Sequence, residues 1–449
     1  MCGIAGAAGM DSEASVLNML EAIKHRGPDG TGMFSQGGVT LGSVLLKITG
    51  DKNQPIHKRG ALTYNGEIYN FREIAQRHGL KTGSDSEALF NLIESEGIEA
   101  APGNLDGDYA FAYAYDDTIY LARDPAGVKP LYYGKTDERF AFASEKKALS
   151  AIGIKDILTL KPGHMLMYRG GVLKEKKVTD FAKGERITDE NIASGSLIHA
   201  IEKAVKKRTY SPCAIAFSGG LDSSLIAALC PEAELYSVGM AGSHDIMQTK
   251  KAAHLLGMEN KLHLHELTVD DVRTAIPYVI RAIESTEPQK VSIAVPLFLA
   301  SKNAHDDGLR VMLSGQGADE LFAGYKRYES MGHEELEPAL KRDLDNIAQN
   351  NLERDDAATM ANSVELRVPY LDREVVELAL RIAPELKIKN GMRKYILRLA
   401  AGRLLPEELA LKEKKAAQYS SGIYSAIEKL ARKKGFKAVR DYFENVALL

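Results

Sequence analysis

Cysteine is scarce: Cys2, Cys213 and Cys230 are the only three in 449 residues. Three cannot build a disulfide framework in so long a chain, and an odd number leaves a thiol unpaired, so a reducing cytoplasm is the expected setting. A basic excess is also missing, the formal net charge being −3 at pH 7. Proteins that neutralise a phosphate backbone carry a clustered positive field, so nucleic-acid binding is not expected. No window approaches the roughly 20 apolar residues of a spanning helix, and the N-terminus lacks a basic flank with an apolar signal core. Neither membrane insertion nor export is expected. Internal repeats and low-complexity tracts are absent too.

What is present suffices for two cores. Hydrophobic residues make up 45% and charged residues 27% of the chain, the balance of a soluble globular protein. Single cores stop growing beyond roughly 250–300 residues, so two domains are expected. The first third holds glycine-punctuated β-type runs, GALTYNGEIYN (60–70), DGDYAFAYAYDDTIYLARD (106–124) and LYYGKTDERFAFASE (131–145). The second alternates apolar and polar positions, as half-buried antiparallel strands do. Helical patterns cover 12–27 and 84–97, the latter capped by Ser84 or Asp85. This part reads as α+β.

From about 195 the pattern changes. CAIAF (213–217), ELYSVGM (234–240), KLHLHEL (261–267) and LRVML (309–313) are short apolar strands, each followed by a helical pattern. That predicts an α/β domain whose parallel sheet is covered on both faces. The polar, weakly patterned stretch 169–190 holds the junction, giving domains 1–185 and 190–449.

CAIAF-SGGLDSS-LIAALC reads strand, glycine turn, helix start. Gly219 and Gly220 permit close backbone approach, Ser218 and Ser223 supply hydroxyls, and the helix aims free N–H groups at the loop, so an anion belongs there. The usual triphosphate loop has a lysine that this one lacks. Asp222 stands inside the turn instead, where phosphate would repel it unless a divalent cation intervened. The stretch S-G-G-L-D-S resembles the signature of the pyrophosphate-cleaving ATP-dependent synthetases, in which an acceptor carboxylate becomes an acyl-adenylate.

That resemblance extends to LSGQGADELFAGY (313–325), a second loop facing the first across the nucleotide. It implies ATP contacts by Phe217, Ser218, Gly219, Gly220, Leu221, Asp222, Ser223, Ser314 and Gly315, with Val238 beside the purine and Mg²⁺ shared by Asp222 and Asp319. For Glu320 a helix N-terminal carboxylate answering the macrodipole is expected. In KEKKAAQYSSG (412–422), Lys414 is the catalytic cation by the same resemblance, with Lys415 as alternate.

MCGIAG puts Cys2 first once Met1 is removed, and an N-terminal cysteine carries its own base, an α-amino group of pKa near 7.7–8.0. HRGPDG, YNGEIYN, TGSDSE, LDGDYAFAYAYD, ARDPAGVKPLYY and FASEKKAL follow in order. Together they resemble the class II glutamine amidotransferases, which implies an αββα sandwich of the N-terminal nucleophile type. It also implies thiol attack on the glutamine amide by Cys2, an oxyanion hole at Asn65 and Gly66, and glutamine held by Glu67 and Asp85. The arginine usual for the glutamine carboxylate falls on Leu45, leaving Arg26 or Lys47 for that role.

The two-part arrangement resembles the glutamine-hydrolysing asparagine synthetases, which convert aspartate, ATP and glutamine to asparagine, AMP, pyrophosphate and glutamate, with an expected ammonia channel between domains. It leaves room for a homodimer. Glu365, Arg367 and Asp372, in RDDAATMANSVELRVPYLD (354–372), are expected in structural ion pairs. Gln316 stands where such synthetases often carry a glutamate that assists adenylate formation, and Lys290 and Ser292 replace a threonine and an arginine near aspartate. An amide positions groups but cannot act as a base. An amide- or lactam-forming synthetase for another acid, and a non-catalytic regulatory relative, are the alternatives. A tRNA-modifying enzyme is disfavoured by the charge balance and by the lack of paired cysteines.

Overall fold

The structure, a computed structural model, describes residues 2–50, 52–209, 212–411 and 422–448. It divides into two compact units, Met1–Phe181 and Ala182–Leu449.

The strands of the first unit are β1 (Cys2–Gly9), β2 (Gly30–Gln36), β3 (Val39–Leu45), β4 (Ile56–His57), β5 (Ala61–Ile68), β6 (Gly107–Tyr115), β7 (Thr118–Arg123), β8 (Tyr132–Lys135), β9 (Arg139–Ala143), β10 (Leu158–Thr159), β11 (His164–Arg169) and β12 (Val172–Lys177). They form two antiparallel six-stranded sheets, in the orders β10-β8-β9-β1-β3-β2 and β12-β11-β7-β6-β5-β4. Side-chain alternation explains the layering. On β1, Ile4 and Ala8 enter one core with Leu41, Leu121 and Phe142, whereas Ala5 and Ala7 meet Val16, Met19 and Leu20 of the helix Ser12–Ala22. On the second sheet Leu62, Tyr64 and Phe111 pack on the helices Phe71–Arg77 and Asp85–Glu96. The result is helix, sheet, sheet, helix.

Strand β6 departs from expectation. Ala110, Ala112 and Ala114 face the inter-sheet core while Tyr109, Phe111 and Tyr113 face the helices, and all six are buried. The alternation is one of size, because both faces of this strand are covered. The junction stretch also holds more order than its polarity implies, since β12 lies inside it and pairs with β11.

In the second unit β13 (Ala214–Ala216), β14 (Glu234–Met240), β15 (Leu262–Leu267), β16 (Val311–Leu313) and β17 (Glu365–Arg367) form a wholly parallel sheet of order β15-β14-β13-β16-β17. The chain steps outward from β13 to β15, then returns to the other side of β13 as β16. Such a reversal opens a crevice at the carboxyl ends of the two central strands. SGGLDSS follows β13 and SGQGADE follows β16, so both glycine loops face that crevice. Strand β17 escapes apolar pattern reading because its side chains include Glu365 and Arg367, which pair at 3.0 Å with both groups fully buried. No described helix is long and apolar enough to cross a membrane.

Candidate active sites

Cys2 opens β1 opposite Leu45 of β3 and is buried. Its backbone nitrogen donates to Asn65 Oδ1 at 3.1 Å. That bond fixes the Asn65 amide, and its Nδ2, fully buried, has no partner among the described residues. An unsatisfied buried donor costs about 1–3 kcal/mol, a cost relieved when a ligand oxygen accepts from it. Gly66 follows with φ of 151°, and a Cβ there would fall 2.2 Å from Asp108 O, so only glycine brings β5 this close to β6. Gln54 completes the surroundings of the thiol. Its Oε1 accepts from Tyr64 N at 2.6 Å, which turns Nε2 toward Cys2 Sγ, 4.0 Å away.

Arg26 is wholly buried; it bonds Glu145 at 2.9 Å and donates to Cys2 O at 3.3 Å. Burial opposes charge on Glu145, but His25, Arg26 and Lys147 outweigh it and hold the carboxyl well below its usual range. The Arg26 guanidinium thus anchors the strand that carries Cys2. Lys47 is exposed, with its backbone N–H on Asp29.

Glu67 and Asp85 come together as an acidic pair. Ser84 accepts the capping bond from Glu87 N, which leaves Asp85 free to accept from Tyr64 Oη at 2.9 Å, Ile68 N at 3.2 Å and Ser86 N at 2.7 Å. Thr49 Oγ1 donates to both oxygens of Glu67. Burial, reinforced by the Glu67 charge, pushes Asp85 up to about 7. Two neighbouring carboxyls so placed make a negative locus that favours an ammonium group.

In the second unit Ser223 Oγ lies 3.2 Å from both the nitrogen and Oγ of Ser218, closing the SGGLDSS turn over the start of the helix Leu221–Leu229. A cavity of about 190 Å³ is lined by Phe217, Ser218, Val238, Ser292, Ser314 and Gln316, among others. Asp355 lines it as well. Lys290 pairs with Glu287, at 3.9 Å.

Asp222 and Asp319 face each other across a lysine that sequence reasoning missed. Lys394 Nζ lies 2.7 Å from both oxygens of Asp222 and 2.6 Å from Asp319 Oδ1. Close approach is built in at Gly315, where a Cβ would fall 2.9 Å from Asp222 Cβ. The only sequence signal for Lys394 is a cation set among the apolar residues of GMRKYILRLA. No cluster of three or more His, Cys, Asp or Glu suited to a metal occurs among the described residues. Two carboxylates fit magnesium nonetheless, because that ion is commonly held by one or two carboxylates plus substrate phosphates and water. The Lys394 ammonium marks the place between them as one that takes positive charge.

Glu320 lies in the first turn of the short helix Ala318–Leu321, as expected, and it is also buried, accepting from Tyr325 Oη at 2.6 Å and Asn351 Nδ2 at 2.8 Å. Burial raises its pKa, so it belongs to a packed polar cluster. Asp372 pairs with Arg208 at 2.7 Å and Lys207 at 3.0 Å, which gives it, like Glu365 and Arg367, a structural setting. Lys414 and Lys415 lie outside the described residues.

Residues 1–179 match the family model described as glutamine amidotransferase domain, and residues 196–335 and 328–439 match that described as asparagine synthase. A Methanocaldococcus jannaschii protein provisionally named as glutamine-hydrolysing asparagine synthetase 1 is 37% identical, over 98% of this chain and 97% of its own. Asparagine synthetase 2 of Arabidopsis thaliana is 32% identical over 96% and 80%. Asparagine synthetase B of Escherichia coli is 31% identical over 96% and 84%.

Proposed function

The chain belongs to the glutamine-hydrolysing asparagine synthetases, and from that premise we propose that it makes asparagine from aspartate, ATP and glutamine. Glutamine is hydrolysed in the first unit and ATP is used in the second. The Cys2 thiolate attacks the glutamine amide carbon. The Asn65 Nδ2 and the Gly66 N–H receive the oxyanion, and Glu67 with Asp85 holds the substrate ammonium. Collapse releases ammonia, and water frees glutamate from the thioester. The observation that carries this reading is the bond from Cys2 N to Asn65 Oδ1, which fixes an amide whose buried N–H₂ has no partner among the described residues.

In the second unit the Ser218–Ser223 loop and the start of its helix cradle the phosphates, with Val238 beside the purine. Asp222 and Asp319 would hold Mg²⁺, which neutralises phosphate charge when bound. The aspartate side-chain carboxylate attacks the α-phosphorus and takes the adenylyl group while pyrophosphate leaves, with Lys414 as its proposed cation. Ammonia then displaces AMP from the β-aspartyl adenylate. None of the three cysteines forms a disulfide among the described residues, in keeping with the cytoplasmic setting proposed.

Cys2→Ala should abolish asparagine formation from glutamine and leave that from ammonium salt. Loss of both together would overturn the two-site reading. Pyrophosphate release measured against a panel of acids tests the acceptor, and silence with aspartate would sink it.

A further inference from the structure

Gln316 is held at both ends. Its backbone nitrogen lies 3.4 Å from Ser314 Oγ, and its side-chain Nε2 donates to Asp355 Oδ2 at 2.5 Å. Asp355 is fully buried, and its other oxygen accepts from Arg354 Nε at 2.7 Å. A carboxylate paired with a guanidinium accepts hydrogen bonds and does not donate, so the amide has one permitted orientation. Nε2 must face Asp355, and Oε1 must face away from it. Both residues line the cavity that Ser218 and Ser314 border.

Neutrality at 316 then has a physical reason. A second carboxylate this close to Asp355 would meet like charge in a buried place, where two such groups do not readily ionise together. The amide accepts Asp355 as a neighbour and turns a carbonyl dipole outward, with the Asp355 charge behind it. Such a surface attracts a cationic hydrogen-bond donor and gives nothing to an apolar or anionic group.

We infer that Gln316 is a specificity-determining residue for the acceptor, its Oε1 receiving the α-ammonium of the substrate amino acid, and that Asp355 is the positioning residue that fixes the amide. This rests on aspartate being the acceptor.

Ammonium-driven pyrophosphate release by the full chain tests the inference, with kcat/KM measured for aspartate and for succinate, which lacks only the amino group. The wild type should prefer aspartate. Gln316→Met should reduce that preference about 10- to 100-fold, the range of a hydrogen bond to a charged group, through the KM for aspartate and with the KM for ATP unchanged. Asp355→Asn, which lets the amide turn over, should do the same while Gln316 is intact. Equal use of both acids by the wild type overturns the inference whatever the variants do. So does an active Gln316→Met enzyme with its preference unaltered, or one whose ATP-to-GTP preference shifts instead, since the carbonyl would then read the purine. Activity with other acids but none with aspartate overturns the acceptor assignment itself.

Discussion

The ammonium of Lys394 lies 2.7 Å from each carboxylate oxygen of Asp222, and the same nitrogen reaches Asp319. Two acidic groups from different glycine loops thereby share one ammonium. If Mg²⁺ binds between them, it must share or displace that ammonium. Lys394→Met should therefore lower the melting temperature in EDTA, because like charges are left facing each other, and Mn²⁺ should restore it. Mn²⁺ titration without nucleotide should show tighter binding in the variant. Unchanged melting and unchanged Mn²⁺ affinity would count against a shared cation site.

Glutamine binding should depend on pH through Asp85. Burial and the Glu67 charge raise this group to about 7 in the free protein, and an ammonium ligand favours the ionised form. Binding near pH 7 should then release protons, and the KM for glutamine should rise as pH falls below about 7. Calorimetry in buffers of different ionisation enthalpy measures the protons directly. The Asp85→Asn variant should lose both the release and the pH dependence.

Asn65 should matter to glutamine hydrolysis alone. Replacing it with Ala removes an oxyanion donor and should lower kcat for glutamine about 10²–10³-fold, the range seen when one such donor is lost. Asparagine formation from ammonium salt should be unaffected. Equal damage to both activities would make Asn65 a fold residue instead.

Glu365 and Arg367 should act on stability. Both are fully buried and pair at 3.0 Å, and Arg367 also donates to Arg208 O at 2.8 Å. Arg367→Leu removes one side of a buried ion pair, a change that typically costs about 3–5 kcal/mol. Glu365→Gln with Arg367→Leu should recover part of the loss. Denaturant unfolding of the single and double variants measures this.

The parts of the sites legible in the sequence were those built from adjacent residues. SGGLDSS and SGQGADE declare a glycine turn, its hydroxyls and a following helix in one run, and the periodicity of the strands places both loops at strand ends. Gln54, Lys394 and Asp355 were not legible. Gln54 reaches Cys2 across 52 positions, Lys394 reaches Asp222 across 172, and Asp355 reaches Gln316 across 39. Each takes its role from where tertiary packing brings it, not from the residues beside it in the sequence. Arg26 shows the converse: its charge drew attention, and burial beside Glu145 gave that charge a supporting task. Strand β17 was hidden because an internal ion pair takes the place of the apolar residues by which buried strands are recognised.

The size alternation of β6 also acts as a proofreading device. A pairing slipped by one residue would drive Tyr109, Phe111 and Tyr113 between the sheets, where alanine methyl groups now pack, and would leave methyl groups facing the helices. A strand that alternated polar and apolar residues would be corrected by solvent. This one is corrected by volume, so its register stays defined even though neither face sees water.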